Sequence, residues 1–388
     1  MRKQILLFLS IFIIFSSFQL RGQLSGDIVY TYFYDDNPLR SASAEKEFVN
    51  SLKSDLNYRL FNRELYLSYS GNYNIFQTTS DRNYQFHSLG MNSSFKVGEV
   101  EEENLFTGLS YNLKKGVSDY KTYDFNQFTA FANGRFSVGD AMFIQPGYTI
   151  SYKKFPSLSD LTHFENLLSS QFSMFFETGT GIFVEGALGN KYYSYTEETT
   201  TPLFDNIRHG RDPWNNPPSA FITTKSQKAF NVVQFRAMLK ISQSIFENTG
   251  VNGYYLSRLL LTSGKNMFQS SEFIYSGDDE LWDDPYGFSS NEYGAGLTQK
   301  LPFDITLKLN VQYSNRHYTN NISDTLNITQ RIDGRFELWG GISKTINELP
   351  LFSSMDLTLE YMFINNTSNV KDFGYKNNMA MFGLQFSF

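Results

Sequence analysis

The chain of 388 residues contains no cysteine. This absence excludes disulfide bonds, thiolate metal sites, a cysteine nucleophile and the acylated cysteine of a lipoprotein. Only four histidines are present, and no nucleophile, nucleotide, flavin or zinc motif accompanies them. The sequence therefore predicts a protein that is not an enzyme, with no catalytic residues, no cofactor and no metal site.

Proline and long apolar runs are also scarce. There are 10 prolines, and no apolar run beyond the N-terminal segment is long enough to cross a membrane as a helix. The formal net charge is −6. An acidic chain is a poor partner for a polyanion, so no nucleic-acid partner is expected.

Residues 1–22 have the parts of a secretion signal. Arg2 and Lys3 form a charged n-region, an apolar h-region follows, and a short polar stretch leads to cleavage near Gln23. The apolar run falls short of the ~20 residues that a membrane-spanning helix needs. The expected organisation is a signal peptide at 1–22 and one mature domain at 23–388.

Aromatic residues are abundant, at 17% of the chain, with 38 Phe and 25 Tyr. Apolar residues occupy every second position of most segments, and polar residues occupy the positions between. The clearest case is residues 305–313, where apolar Ile305, Leu307 and Leu309 alternate with Thr306 and Lys308. A period of two predicts a β-strand whose two faces meet different environments.

Segments of this kind predict about sixteen strands, and 14 or 18 remain open. Turn residues and polar stretches separate them, and the connections alternate between short turns and longer loops at 35–47, 195–228, 262–285 and 318–330. This is the pattern of a transmembrane antiparallel up-and-down β-barrel, with short periplasmic turns and long external loops. The alternative for segment 30–37 is a short external strand. The predicted strands centre near residues 30, 55, 70, 91, 109, 131, 148, 171, 187, 237, 256, 295, 309, 336, 359 and 382.

The C-terminal segment 381–388 resembles the assembly signal of Gram-negative outer-membrane barrels. Gly383, Phe386 and the terminal Phe388 match its pattern, whereas Met381 stands where a polar residue is usual. The resemblance implies recognition by the barrel-assembly machinery and a porin-like barrel in outer-membrane lipid. With a signal peptide and an even strand number, both termini are expected to be periplasmic. Residues 34–40 resemble the start of some exopolysaccharide-associated barrels, over seven residues only.

If the apolar positions face lipid, the charged positions face the lumen, because charge on the lipid face is costly. The lumen would then carry more basic than acidic side chains, although the whole chain is acidic. One interpretation is an aqueous path that favours anions, and the other is a wall made rigid by paired charges. The lumen-lining candidates are Lys53, Arg59, Arg135, Arg236, Lys240, Lys308, Arg316, Arg335, Glu337, Asp356 and Glu360.

Three functions fit this sequence. The first is a porin-like aqueous channel for small polar or anionic solutes. The second is the barrel of an envelope export or assembly system for glycan, lipid or protein, which acts with other envelope proteins. The third is a surface-binding structural barrel whose loops at 195–228 or 262–285 hold a ligand.

Overall fold

The computed structural model is a closed barrel of sixteen antiparallel strands. It describes residues 24–38, 40, 46–60, 64–98, 103–202, 221–262, 285–324, 327–347 and 349–388. The expected fold and strand number are confirmed, and each of the sixteen predicted centres lies within one strand. The strands are β1 (Leu24–Asp35), β2 (Glu47–Arg59), β3 (Leu65–Phe76), β4 (Tyr84–Lys96), β5 (Asn104–Gly116), β6 (Phe125–Gly139), β7 (Met142–Lys154), β8 (His163–Phe175), β9 (Thr180–Pro202), β10 (Phe221–Phe246), β11 (Thr249–Leu260), β12 (Phe288–Leu301), β13 (Ile305–Asp324), β14 (Asn327–Asn347), β15 (Ser354–Ser368) and β16 (Tyr375–Ser387).

Each strand pairs with its neighbours in sequence, and β1 pairs with β16 to close the sheet. Closure removes the unpaired edge that an open sheet would leave, and it satisfies the backbone groups within the protein. Segment 30–37 belongs largely to β1, which pairs with both β2 and β16 over its length. The alternative of a short external strand is therefore wrong.

The last residue of the chain closes the seam between β1 and β16. The Phe388 amide donates to the Gly26 carbonyl at 3.0 Å, and the Gly26 amide donates to the Phe388 carbonyl at 3.1 Å. At the other end of the seam, the Asn377 side chain donates to Asp35, and the Asn378 side chain donates to Asp36 at 2.6 Å. The terminal residue thus takes part in the final pairing of the ladder.

Deleting Phe388 should lower the amount of assembled barrel without reducing export. The deletion removes the backbone pair with Gly26 and the aromatic end of the segment that resembles an assembly signal. Heat-modifiable mobility on gels, together with membrane and periplasmic fractions, measures the outcome. Replacing Phe388 by Tyr is the matched control, because it keeps the backbone pair and an aromatic ring. Wild-type levels of assembled protein after the deletion would refute a role for this residue in assembly.

The barrel has two different ends. The first residue of β1 and the last residues of β16 lie at one end, here called the turn end, with the tight connections near residues 140, 178 and 303. At the turn between β12 and β13, Phe303 and Asp304 adopt φ values of 66° and 58°, and Gly179 adopts 75° in the turn before β9. Both turns leave three residues between the last paired positions, and three-residue hairpin loops place a residue with positive φ at their end. The connections that follow the other even-numbered strands also lie at the turn end, whereas the opposite end, here called the loop end, carries the connections that follow the odd-numbered strands, from β1–β2 to β15–β16.

Two of the four predicted long loops are wrong in extent. Strand β9 continues to Pro202 and β10 begins at Phe221, so much of 195–228 is a paired ribbon. Strands β13 and β14 pair as far as Asp324 and Asn327, so the predicted loop at 318–330 is mostly a hairpin. The sequence of these segments lacks the regular alternation of apolar and polar residues that reveals a strand embedded in lipid. The prediction at 35–47 agrees with the ends of β1 and β2, whereas most of 262–285 lies outside the described residues.

Apolar packing within the described chain is concentrated in small clusters close to the loop end. One joins Phe125, Phe155 and Leu161, and another joins Tyr193, Val232 and Tyr286. Large apolar side chains elsewhere, such as Leu168 and Leu359, are exposed on the sheet surface at 56% and 60%. Burial by a surrounding apolar phase explains this distribution better than burial in a protein core.

Candidate functional site

The register divides the barrel into two faces, because residues paired across strands share a face. One face carries Leu307, Phe336 and Leu359 and is here called the apolar face; the other is called the polar face. The pairing places all eleven predicted lumen residues on the polar face: Lys53, Arg59, Arg135, Arg236, Lys240, Lys308, Arg316, Arg335, Glu337, Asp356 and Glu360.

Three arginines form one row across β10 to β13. Arg236 stands directly opposite Arg258, Arg258 opposite Ser290, and Ser290 opposite Arg316. Arg236 forms an ion pair with Glu185. Arg236 and Arg258 are like charges directly opposite each other, an arrangement that repels, whereas Arg316 stands opposite Asp333 on β14. Sequence reasoning named Arg236 and Arg316 separately, but only the register shows that they share a row.

The acids of the polar face lie close to donors. The Arg335 Nε atom is 2.5 Å from Glu337 Oε1, and Lys53 Nζ is 2.7 Å from Asp55 Oδ2. Asp356 accepts from the Thr345 hydroxyl at 2.5 Å, and Glu360 accepts from the Trp339 indole at 3.1 Å. Each of these four carboxylates therefore has an ion-pair or hydrogen-bond partner on the polar face.

The other predicted cations occupy different surroundings. Arg59 and Arg135 lie over the rings of Tyr66 and Phe143, at 5.9 Å and 4.2 Å from the ring centroids. Lys240 stands opposite Phe183 and Tyr254, and Lys308 stands opposite Thr298 and Gly341. Lys308 has small neighbours and is exposed. It is therefore the cation on which a change of charge would disturb packing least.

Tyr254 connects three strands on the polar face. Its hydroxyl on β11 lies 2.9 Å from Glu292 Oε1 on β12 and 2.9 Å from Gln312 Oε1 on β13, and donates to one of them at a time. A Cβ atom at Gly294 would lie 2.1 Å from the Tyr254 ring, so the missing side chain there makes room for it. Side chains reach across an intervening strand most easily on a concave surface, where neighbouring strands converge.

Three lysines close to the loop end of the polar face are buried against aromatic rings. Lys114, Lys153 and Lys191 are 4%, 4% and 1% exposed. Their Nζ atoms lie 4.8 Å from the Tyr84 centroid, 4.0 Å from Phe125 and 5.4 Å from Tyr193. An ammonium over an aromatic face is stabilised by the ring quadrupole, more so when it is desolvated.

Tyr286 reaches across the loop end of the barrel. It lies in the short 3-10 turn Pro285–Gly287 just before β12, yet its hydroxyl donates to Glu165 Oε1 on β8 at 2.6 Å. Strands β9, β10 and β11 lie between. The Lys191 ammonium is 5.3 Å from the Tyr286 centroid, and a Cβ atom at Gly189 would lie 2.1 Å from its hydroxyl. Tyr286 therefore crosses the mouth and lies against Gly189.

Sequence reasoning did not single out Tyr254, Gly294 or Gly189. Alternation would have placed Tyr254 on the polar face, but its partners are remote in sequence. Tyr286 directly follows the predicted loop at 262–285, and its contact with Glu165 depends on the curvature of the closed sheet. Within the described residues there is no cluster of potential metal ligands and no helix of the length and apolarity that a membrane span requires.

Comparison with known proteins finds similarity of fold alone. No family model matches the sequence, and no curated protein matches it. The outer membrane protein OpdK of Pseudomonas aeruginosa aligns with a TM-score of 0.50 and 9% identity, over 95% of this chain and 99% of OpdK. OpdO of the same organism aligns at 0.49 and 10%, over 94% and 96%. A loop L8 deletion mutant of OmpT from Vibrio cholerae aligns at 0.42 and 11%, over 94% and 98%.

Proposed function

We propose that this protein is an outer-membrane channel whose polar face lines an aqueous lumen that favours small anionic solutes. The observation that carries the proposal is the closed barrel of sixteen strands with a charged polar face and an exposed apolar face. Barrels of 16–18 strands are wide enough to leave an aqueous channel. Cysteine-free composition and the signal-like residues 1–22 agree with export, although those residues lie outside the described part of the chain.

Contacts across strands support an inward-facing polar face. Tyr254 reaches Gln312 across β12, and Tyr286 reaches Glu165 past three strands. The exposed leucines of the apolar face would then meet lipid, the barrel-assembly machinery would insert the protein, and both termini would be periplasmic. Neither a catalytic step nor a cofactor forms part of the proposal.

The row of Arg236, Arg258 and Arg316 supports the preference for anions. Rings and rows of fixed charge select the counter-ion in a pore, because the low-dielectric wall concentrates their field. Glu185 neutralises part of the row through its ion pair with Arg236. Asp333 stands directly opposite Arg316. The row therefore places three arginines beside two acids, which combines both interpretations of the charges.

Purified, refolded protein in planar lipid bilayers tests the channel directly. We expect discrete current steps in salt solution from the protein alone, because the lumen is open to ions without a partner. A correctly folded barrel without current would overturn the channel and favour the export or structural alternatives. Current that appears only after adding an envelope partner would identify the export alternative.

Single cysteines test which face meets water, and the chain offers no native cysteine to interfere. Lys308→Cys and Arg335→Cys should react with a water-soluble maleimide in membranes, whereas Leu307→Cys and Phe336→Cys should react about tenfold less, since thiolate chemistry needs water. The two pairs lie on β13 and β14 and are matched for depth. Preferential reaction at 307 and 336 would show that the faces are reversed.

A further inference from the structure

The same hydrogen bond, between a tyrosine and an asparagine, recurs on the apolar face near the loop end. On five different hairpins, a tyrosine hydroxyl donates to an asparagine Oδ1 on the next strand at 2.6–3.0 Å. We call these pairs the Tyr–Asn ring. The pairs are Tyr30–Asn50, Tyr111–Asn126, Tyr148–Asn166, Tyr255–Asn291 and Tyr361–Asn378.

The pairs share one geometry. Tyr148 stands opposite Leu168, and Asn166 stands two residues nearer the loop end, opposite Ile150. The same diagonal step relates the other four pairs. On the hairpin of β3 and β4, His87 takes the place of the asparagine and lies 2.9 Å from the Tyr69 hydroxyl. A single level around the barrel therefore carries the same polar pair on most hairpins of the described chain.

The depth of the ring matches one boundary of a membrane. The position beside Asn126 is Leu113, about nine residues from the start of β5 at Asn104, and Phe363 beside Asn378 is about nine residues from Ser354. At roughly 3.3 Å per residue and a tilt of about 40°, nine residues rise about 23 Å. The apolar band of such barrels is about 25 Å tall. The ring and the turn end therefore bracket one hydrocarbon layer.

The chemistry of the apolar face changes at the ring. Towards the turn end it carries exposed aliphatic side chains, including Leu109 and Leu359. Beyond the ring, on the same face, it carries Lys115, Lys154 and Lys376, all exposed. Tyrosine prefers the boundary between these environments, because its ring is apolar and its hydroxyl is polar.

We propose that the Tyr–Asn ring binds the phosphate groups of lipid headgroups at the outer boundary of the hydrocarbon layer. In each pair the asparagine oxygen accepts from the tyrosine hydroxyl, which leaves the amide Nδ2–H₂ group of the same side chain as a donor. In the Tyr361–Asn378 pair this amide donates to Asp36 at 2.6 Å, so the proposal rests on the other four pairs. Lys154 and Lys376 supply positive charge just outside, which favours an anionic acceptor, whereas Lys115 lies 3.5 Å from Asp124 and is partly neutralised. The inference rests on the membrane location in the proposed function, but it does not depend on an open lumen.

Depth-resolved fluorescence quenching tests the position of the ring. Cysteines placed singly at Leu109, Asn126 and Lys115 in the full-length mature protein carry a bimane label in phosphatidylcholine vesicles. Nitroxide at the lipid headgroup should quench position 126 most strongly, and nitroxide in the acyl chain should quench position 109 most strongly. Equal quenching of 126 and 109 by the acyl-chain probe would place the ring inside the hydrocarbon layer and overturn the proposal.

Lipid retention tests the binding itself. The triple variant Asn126→Leu, Asn166→Leu and Asn291→Leu should retain about tenfold less phosphatidylglycerol than the wild type in native mass spectrometry of the detergent-solubilised protein. Asn92→Leu with Asn112→Leu is the matched control, because both residues lie on the polar face. Heat-modifiable gel mobility establishes that each variant is folded, and the single variants replace the triple variant if it is not. Equal retention by the variant and the wild type would overturn the proposal.

The same preparations carry the conductance measurement, so the two proposals fail separately. A barrel without current that still shows headgroup quenching and lipid retention would overturn the channel proposal and support lipid binding by the Tyr–Asn ring. A conducting barrel that shows neither headgroup quenching nor lipid retention would support the channel proposal and overturn lipid binding by the ring.

Discussion

Replacing Lys240 and Lys308 by glutamate should change an anion-preferring current into a cation-preferring one. Both lysines lie on the polar face, on β10 and β13, where Lys308 stands opposite Gly341 and has space for a carboxylate. Each substitution reverses one charge in a wall of low dielectric constant, where fixed charges act on ions at close range. We expect the ratio of anion to cation permeability to fall by about tenfold.

Reversal potentials across a salt gradient measure this change. The control is Lys344→Glu, which makes the same change of charge on β14 but on the apolar face, opposite Ile305. The control should leave the reversal potential unchanged. Arg335 is a poorer position for the experiment, because it is 9% exposed and its Nε atom lies 2.5 Å from Glu337. An unchanged reversal potential in the double variant, with normal current, would mean that these lysines do not face the ion path.

Removing the Tyr286 side chain should widen the outer mouth and raise the single-channel conductance by about twofold, since a pore's narrowest section dominates its resistance. The phenol extends from the start of β12 to Glu165 on β8 and so crosses the lumen in the proposed channel. Tyr286→Ala removes both the ring and the hydrogen bond. Tyr286→Phe removes only the hydrogen bond and separates obstruction by the ring from its anchoring.

A second substitution displaces the same ring without altering it. Gly189→Ala places a Cβ atom 2.1 Å from the position of the Tyr286 hydroxyl, so the Tyr286 side chain must move to another position. The matched control is Gly186→Ala on the same strand, where the atom nearest to an added Cβ belongs to Phe235, at 4.0 Å. We expect larger or noisier currents from Gly189→Ala and wild-type currents from Gly186→Ala. Wild-type conductance in both Tyr286→Ala and Gly189→Ala would show that the mouth is not limiting.

Local pattern was enough to predict the strands embedded between the two ends of the barrel. The alternation of Leu307 with Lys308 persists along β13, because one face of the strand meets an apolar phase and the other a polar one. Where that asymmetry is lost, the prediction failed. The outer parts of β9, β10, β13 and β14 are paired strands whose sequence lacks this regular alternation, and their composition resembles that of a loop.

The site depended on relations between strands. Arg236 and Arg258 stand in one row with Arg316 because the register of three hairpins aligns them, and no spacing within a single strand carries that information. The contact of Tyr286 with Glu165 joins residues that are remote in sequence and separated by three strands. The five Tyr–Asn pairs also follow from register, since each tyrosine meets its asparagine one diagonal step away on the next strand.

The sequence by itself determined the class of fold and predicted about sixteen strands and the shared face of the eleven lumen-lining candidates, because a period of two is local and repeats along the chain. The tertiary structure alone decided which charges become neighbours, which ring crosses the mouth and where the Tyr–Asn ring lies. Those features depend on the register and on closure, and closure brings β1 beside β16 and Tyr286 beside Glu165. These neighbours come from strands that are far apart in the chain and are brought together by backbone hydrogen bonding. The local sequence of one strand does not indicate which residue of another strand will pair with it.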